Sequence, residues 1–269
     1  MSVAVTGSAR ASGALLDGIA GVLSRAEVAV WGTGPSEPME NERPGYRPSD
    51  VVAGARSLVC FGIPVPRAVF EQRDHVVETN WRIQGLYYRR LDDLSVRVAA
   101  LLEDQGEAAV PILGCLPVDV RGPASIAGYV NQVRMGEVTR IGTRGRNGLL
   151  VHPRHGGRLM LGGVVTTATL PPRAEPQPVL AGCPVDCRRC VDACPIQAIR
   201  PEDRVVDDAC LRFTSRTPLL PKLRYLLWSR FRPREAARLQ SATSLDEHTL
   251  HVCSRCVSTC PAEGGRSGP

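Results

Sequence analysis

The chain has 269 residues, 43% of them hydrophobic and 22% charged, with 33 Lys and Arg against 27 Asp and Glu for a formal net charge of +6. That balance excludes a disordered or fibrous chain and leaves room for one main domain and one small module. No apolar run reaches the roughly 18 residues that span a bilayer, and the first residues lack the charged-then-apolar order of a secretory signal, so a cytoplasmic protein without a membrane partner is expected.

Taken in chain order, "GALLDGIAGVLSRA" has the apolar spacing of an amphipathic helix and runs into a short strand at "EVAVWG". "PSDVVAGA" opens with the Ser-Asp start of a second helix, and "RSLVCFGIPV" suits a buried strand. From Glu78 onward, Leu86, Leu91, Leu94, Val98, Leu101 and Leu102 predict one apolar stripe on the longest helix, closed at Gly106 as a C-cap would close it. A strand at "AAVPILG", a helix around Ile126 to Glu137, and strands at "NGLLVHP" and "RLMLGGVVTTATL" complete a layered α/β (α+β) domain over residues 1–170. Four prolines in "PPRAEPQPVLAG" then predict a stiff linker over 171–181, leaving 182–269 as a separate module.

That module holds most of the 10 cysteines. In a reducing compartment a disulfide framework is not expected, and clustered thiols there bind metal. The first group reads Cys183-x3-Cys187-x2-Cys190-x3-Cys194-Pro and the second Cys253-x2-Cys256-x3-Cys260-Pro, with Cys210 between them. Short gaps aim neighbouring sulfurs at one small metal centre, and the proline turns the chain away. Zinc would also accept four thiolates, but its sites pair two CxxC knuckles, whereas a doubled motif ending in Cys-Pro suits two 4Fe–4S clusters. The pattern resembles that of bacterial two-cluster ferredoxins, in which the cysteine before proline crosses to the other cluster. That resemblance implies that Cys183, Cys187 and Cys190 share a cluster with Cys260, while Cys194, Cys210, Cys253 and Cys256 hold the second. The first gap is one residue longer than in those ferredoxins. Cys60 lies in an apolar run and is read as a small buried hydrophobe, and Cys115 follows a predicted strand.

"RIGTRGRNGLLVHPRHGGRLMLGGVVTTATL", followed by the linker and both cysteine groups, resembles the epoxyqueuosine reductase and reductive dehalogenase superfamily. Its members join a nitroreductase-like, cobalamin-binding domain to a two-cluster ferredoxin module. The resemblance therefore implies a reductase in which two clusters relay electrons from an external ferredoxin- or flavodoxin-type donor to a corrinoid that acts on a small-molecule substrate. Their "GLGWIGKNGLL" segment falls on "RIGTRGRNGLL", which assigns corrin contacts to Gly142, Gly145, Arg146, Asn147 and Gly148, with Thr166 on the strand that follows. Arg140, Thr143, Arg146 and Thr167 depart from the superfamily's Gly, Trp, Lys and acidic residue. The tRNA-modifying members carry further C-terminal repeats that do not follow Cys260 here, which argues against a tRNA substrate.

The candidate proton donors are Asp119 in "LPVDVRGP" and the phenols Tyr87 and Tyr88. "PKLRYLLWSRFRPREAARL" interleaves basic and aromatic residues as nucleic-acid binders do, and equally suits an amphipathic helix covering the module. Two rivals remain: an electron-relay protein without a corrinoid, and a flavin-dependent reductase on the same fold.

Overall fold

The computed structural model describes residues 3–114, 118–122, 125–174, 183–184 and 186–200, together with 205, 209–210, 215–216, 223, 227–228, 230–232, 250–251 and 253–260. Helix α1 (Val3–Arg25) leads into strand β1 (Val30–Pro35), the short helix α2 (Pro48–Val51) and strand β2 (Ser57–Pro64). Helix α3 (Ala68–Glu71) precedes the long helix α4 (Val76–Glu103) and strand β3 (Ala109–Ile112). A hairpin of β4 (Val118–Gly122) and β5 (Ser125–Gly128) follows, then helix α5 (Gln132–Val138), the two-residue strands β6 (Thr143–Arg144) and β7 (Leu150–Val151), and strand β8 (Leu159–Thr166). Strand β9 (Arg173–Ala174) closes the domain. In the cysteine-rich part lie α6 (Arg189–Asp192), β10 (Ser215–Arg216), β11 (Leu250–His251) and α7 (Arg255–Ser258).

One five-stranded sheet, ordered β3-β8-β2-β1-β9 and antiparallel throughout, carries the domain. Its central strand β2 is buried almost end to end because helices cover both faces. Alternation along the strand assigns its side chains to the two sides. Val59, Phe61 and Ile63 face a core built with Ile19 and Leu23 of α1 and Leu91, Leu94, Val98 and Leu102 of α4. Leu58 and Cys60 face a second core with Met135 of α5, Ile141, Leu150 and Met39. Cys60 is thus the buried hydrophobe its apolar run implied, and Cys115 falls outside the described residues.

Most of the expected elements are present, with four differences. Leu86 stands 59% exposed. It precedes Leu91 by five residues, which at 3.6 residues per turn points it about 140° away, and Tyr87 and Tyr88 pack against the core in its place. The helix expected from Ile126 begins only at Gln132, where Asn131 caps it by accepting from the Arg134 N–H at 3.1 Å. Ile126 itself lies on β5, opposite Val120. Part of the proline-rich stretch also belongs to the sheet: Arg173 and Ala174 pair with Thr33 and Gly32 of β1, the Arg173 N–H donates to Thr33 Oγ1 at 3.0 Å, and the Arg173 guanidinium lies 3.6 Å from the Trp31 ring centroid. Finally, among the described residues of the basic and aromatic segment, Leu223, Leu227 and Phe231 are 48%, 61% and 77% exposed, so these three side chains do not pack onto the module.

The expected C-cap is present: Gly106 takes φ +83, and the next N–H, of Glu107, returns to the Leu102 carbonyl at 3.1 Å. Among the described residues no helix is long and apolar enough to cross a membrane.

Candidate metal centre and its joint with the domain

The seven cysteines of the two groups and Cys210 between them are all described, and all are free thiols. Two one-turn helices carry Cys190 and Cys256. The N–H of Cys194 returns to Val191 at the end of α6, and that of Cys260 returns to Val257 at the end of α7, so both cysteines before proline leave their helices in the same way. The helices α6 and α7 pack against each other, which brings the two groups together across about sixty residues of sequence.

The electrostatics sort the thiols into two sets. Burial first, then Cys183, Cys187 and Cys260, push the Cys190 thiol up from its ordinary value. Cys260 is likewise raised by burial and by Cys183 and Cys187, against lowering by the Gly157 N–H and the Arg158 cation. Cys256 is pushed up to about 12 by burial, then by Cys210 and Cys253, with smaller contributions from Cys190 and Cys194. One neighbourhood therefore joins Cys183, Cys187, Cys190 and Cys260, and the other centres on Cys256 with Cys210 and Cys253. Mutual repulsion of this kind reverses once a positive metal centre stands among the thiolates.

Among the described residues no three Cys, His, Asp or Glu converge closely enough for a single metal ion. Four thiolates around one zinc, with bonds of about 2.3 Å, would stand only about 3.8 Å apart. A four-iron cube holds its ligands farther apart, so the two neighbourhoods are compatible with the wider arrangement. Backbone donors also reach these sulfurs, as they do where sulfur carries negative charge: the Arg146 N–H lies 3.4 Å from Cys183 Sγ and the Ala198 N–H 3.2 Å from Cys194 Sγ. The donor set fits iron–sulfur clusters.

The residues assigned to the corrin by resemblance have partners inside the chain. A Cβ on Gly142 would stand 2.7 Å from the Val151 carbonyl oxygen, and one on Gly145 would stand 2.6 Å from Val151 Cγ2 and 3.5 Å from Cys183 Sγ. Gly148 takes φ +76 and lies against Val205. Asn147 is buried; its Nδ2 donates to the Cys256 carbonyl at 3.5 Å while its Oδ1 accepts from Leu149 at 3.2 Å. Thr166 is fully buried, its hydroxyl donating to the Ala108 carbonyl at 2.8 Å. The turn over 145–148 thus joins the domain to the cysteine-rich part.

Tyr87 and Tyr88 are half-buried on α4, Tyr88 against Gly114. Asp119 sits on β4 opposite Ala127.

His152, which no motif singled out, is 2% exposed one residue beyond β7. Its Nδ1 accepts from the N–H groups of Arg154 at 3.1 Å and His155 at 3.3 Å, so the other nitrogen carries the proton of the neutral ring. Burial, then the positive charges of His155 and Arg154, push this imidazole down to about 4. Its buried Nε2 finds no partner among the described residues. The His-Pro-x-His spacing was the available signal, and it was masked by the glycines on either side.

No protein-family model matches the chain. It is 29% identical over 166 residues to a curated epoxyqueuosine reductase of Lactococcus garvieae (strain Lg2), covering 61% of this chain and 44% of that protein. A second epoxyqueuosine reductase, of Synechococcus sp. (strain RCC307), is 44% identical over 78 residues, 29% of this chain and 23% of its own. The chain therefore spans less than half the length of these relatives. Among solved structures, an epoxyqueuosine reductase with an epoxyqueuosine-modified tRNA-Tyr stem loop aligns at TM-score 0.57 and 15% identity, covering 96% of this chain and 67% of that one. A catabolic reductive dehalogenase aligns at TM-score 0.55 and 18% identity, covering 73% and 28%. At such identities the structures speak for the fold.

Proposed function

Since the chain belongs to the epoxyqueuosine reductase and reductive dehalogenase superfamily, we propose that it is an oxidoreductase whose two 4Fe–4S clusters carry electrons from an external ferredoxin- or flavodoxin-type donor to a corrinoid on the α+β domain. The observation that carries the iron–sulfur part is the division of the thiols into two neighbourhoods, with Cys260 among Cys183, Cys187 and Cys190. A bound corrinoid would supply the strongly reducing centre, with the protein orienting substrate, excluding water and delivering a proton. That part rests on the superfamily and the fold. Gly142, Gly145, Asn147, Gly148 and Thr166 are engaged within the chain, so no corrin contact is assigned to them.

Their engagement favours a second reading, an iron–sulfur relay without a corrinoid. Visible spectra of the anaerobically reconstituted protein, with and without added cobalamin, separate the readings. A base-off corrin band carries the first, cluster absorption alone carries the second, and a flavin band would overturn both.

The substrate expectation changes as well. The curated relatives are epoxyqueuosine reductases, and one such enzyme is solved with a tRNA stem loop. Exposed Leu227 and Phe231 beside exposed Arg230 and Arg232 suit contact with RNA bases and phosphates. A fluorescent RNA stem loop should bind at 50 mM salt and weaken steeply by 200 mM. No binding at tens of micromolar would return the substrate to the small-molecule class. Asp119 is proposed as the proton donor: Asp119→Asn should lower turnover by about 10² to 10⁴ with iron content unchanged.

A further inference from the structure

We propose that Asp92 and Gln132 are positioning residues: they clamp the base of the β4–β5 hairpin and so fix the place of Asp119, which lies on β4. The proposal rests on the reading of Asp119 as the proton donor.

Strands β4 and β5 pair with each other outside the five-stranded sheet, so the ladder of that sheet does not set where the hairpin stands. Its two legs must do so. The entry leg leaves β3 at Ile112, the last residue paired with β8, opposite Gly163. From there three consecutive residues are held by side chains of two helices. Gln132, the first residue of α5, donates through Nε2 to the carbonyls of Ile112 and Leu113, both at 3.2 Å. Asp92 of α4 accepts the Gly114 N–H through Oδ1 at 2.8 Å, a bond that a carboxylate acceptor makes stronger than a neutral one would. Tyr88, one turn earlier on the same face of α4, lies so close to Gly114 that no Cβ would fit there. On the exit leg, Gly128 pairs with Val118, the residue before Asp119. Two residues later Val130 is buried in the same core as Ile112, and Asn131 then caps α5. Gln132 therefore ties the exit leg to the entry leg with one side chain, while Asp92 ties the entry leg to α4.

A two-stranded hairpin is marginal on its own, so the setting of this one depends on how its legs are held. A proton donor works only within hydrogen-bond reach of its acceptor, and a misplacement of about 1 Å can cost about 10² in rate. Both bonds of the clamp lie outside the hairpin, and neither Asp92 nor Gln132 is assigned contact with substrate.

The experiment is hydrogen–deuterium exchange, read by mass spectrometry from milliseconds to hours on anaerobically reconstituted full-length protein. Peptides covering 118–128 are followed separately from those of β2 and β8. Wild type is compared with Asp92→Leu and Gln132→Met, which keep side-chain bulk and remove the bonding group, and with Asp92→Asn, which keeps an Oδ1 acceptor. Asp92→Leu and Gln132→Met should each speed exchange over 118–128 about tenfold while β2 and β8 keep their wild-type rates, as a local opening does. Asp92→Asn should restore most of the protection. Unchanged exchange over 118–128 in both variants, or an equal rise in β2 and β8, would overturn the proposal. Exchange in Asp92→Asn as fast as in Asp92→Leu would also overturn it, because the acceptor would then have no part in holding the hairpin. Failure of both Asp92→Leu and Gln132→Met to fold would count against it too, since the two residues would then support the whole domain. Asp119→Asn with wild-type turnover would overturn the underlying reading instead, a result distinct from any change in exchange.

Discussion

Gly145 and His152 occupy neighbouring turns and test different parts of the account. A methyl group on Gly145 would press on Val151 Cγ2 at 2.6 Å and Asn147 Oδ1 at 2.9 Å, both held in place by their own packing. Gly145→Ala should therefore destabilise by about 1–3 kcal/mol as overpacking does. The same turn positions the Arg146 N–H on Cys183, so cluster loading should fall with stability, read as melting temperature and iron content side by side. The folded protein keeps His152 neutral down to about pH 4, whereas an unfolded imidazole takes up a proton near 6.5. Its contribution to stability is accordingly complete above about pH 6.5 and is lost as the pH falls toward 4, with a ceiling of about 3 kcal/mol. His152→Asn keeps an acceptor for the Arg154 and His155 N–H groups. The melting difference between wild type and this variant should grow less favourable to wild type between pH 7 and pH 5. A pH-independent difference would contradict the assigned cause. Neither behaviour was legible in the sequence, where Gly145 was read as a ligand-facing glycine and His152 only as part of the strand "NGLLVHP". Gly145 meets the distant Cys183 as well as its near neighbours, whereas His152 is held by the adjacent turn through Arg154 and His155.

Elements were easier to read than contacts, because helix and strand periodicities are local properties. The stripe of α4 was legible at Leu91, Leu94, Val98 and Leu102, all buried, and misleading at Leu86, which a strict count of 3.6 residues per turn would have removed. Leu91→Ala should cost about 2–5 kcal/mol by opening a cavity under β8, and Leu86→Ala should stay within about 0.5 kcal/mol. Comparable losses at the two positions, measured by thermal unfolding, would mean that α4 is rotated from its described setting. Elements that depend on partners were harder to see. The two residues of β9 have no periodicity to show, and their place on the sheet edge comes from Thr33 accepting the Arg173 N–H and Trp31 stacking under its guanidinium. Composition alone called that stretch a linker. The strand at Ile126 was hidden for a related reason, since β5 exists through pairing with β4 and β-branched residues at such short range suit either state.

At the scale of the molecule, the resemblance to bacterial two-cluster ferredoxins implied a crossed arrangement, and α6 packs on α7, which brings the two cysteine groups together. The domain contributes to the same arrangement through two turns, one placing the Arg146 N–H on Cys183 and the other placing Gly157 against Cys260. Asn147 adds a bond to the backbone of Cys256, so the joint touches residues of both thiol sets. The measurement that bears most directly on the account is the iron content of anaerobically prepared protein, together with the paramagnetic signals of two variants. About eight irons per chain are predicted. Cys260→Ala should disturb one reduced-cluster signal and Cys210→Ala the other. Four irons per chain, zinc in their place, or one and the same signal lost in both variants would contradict it.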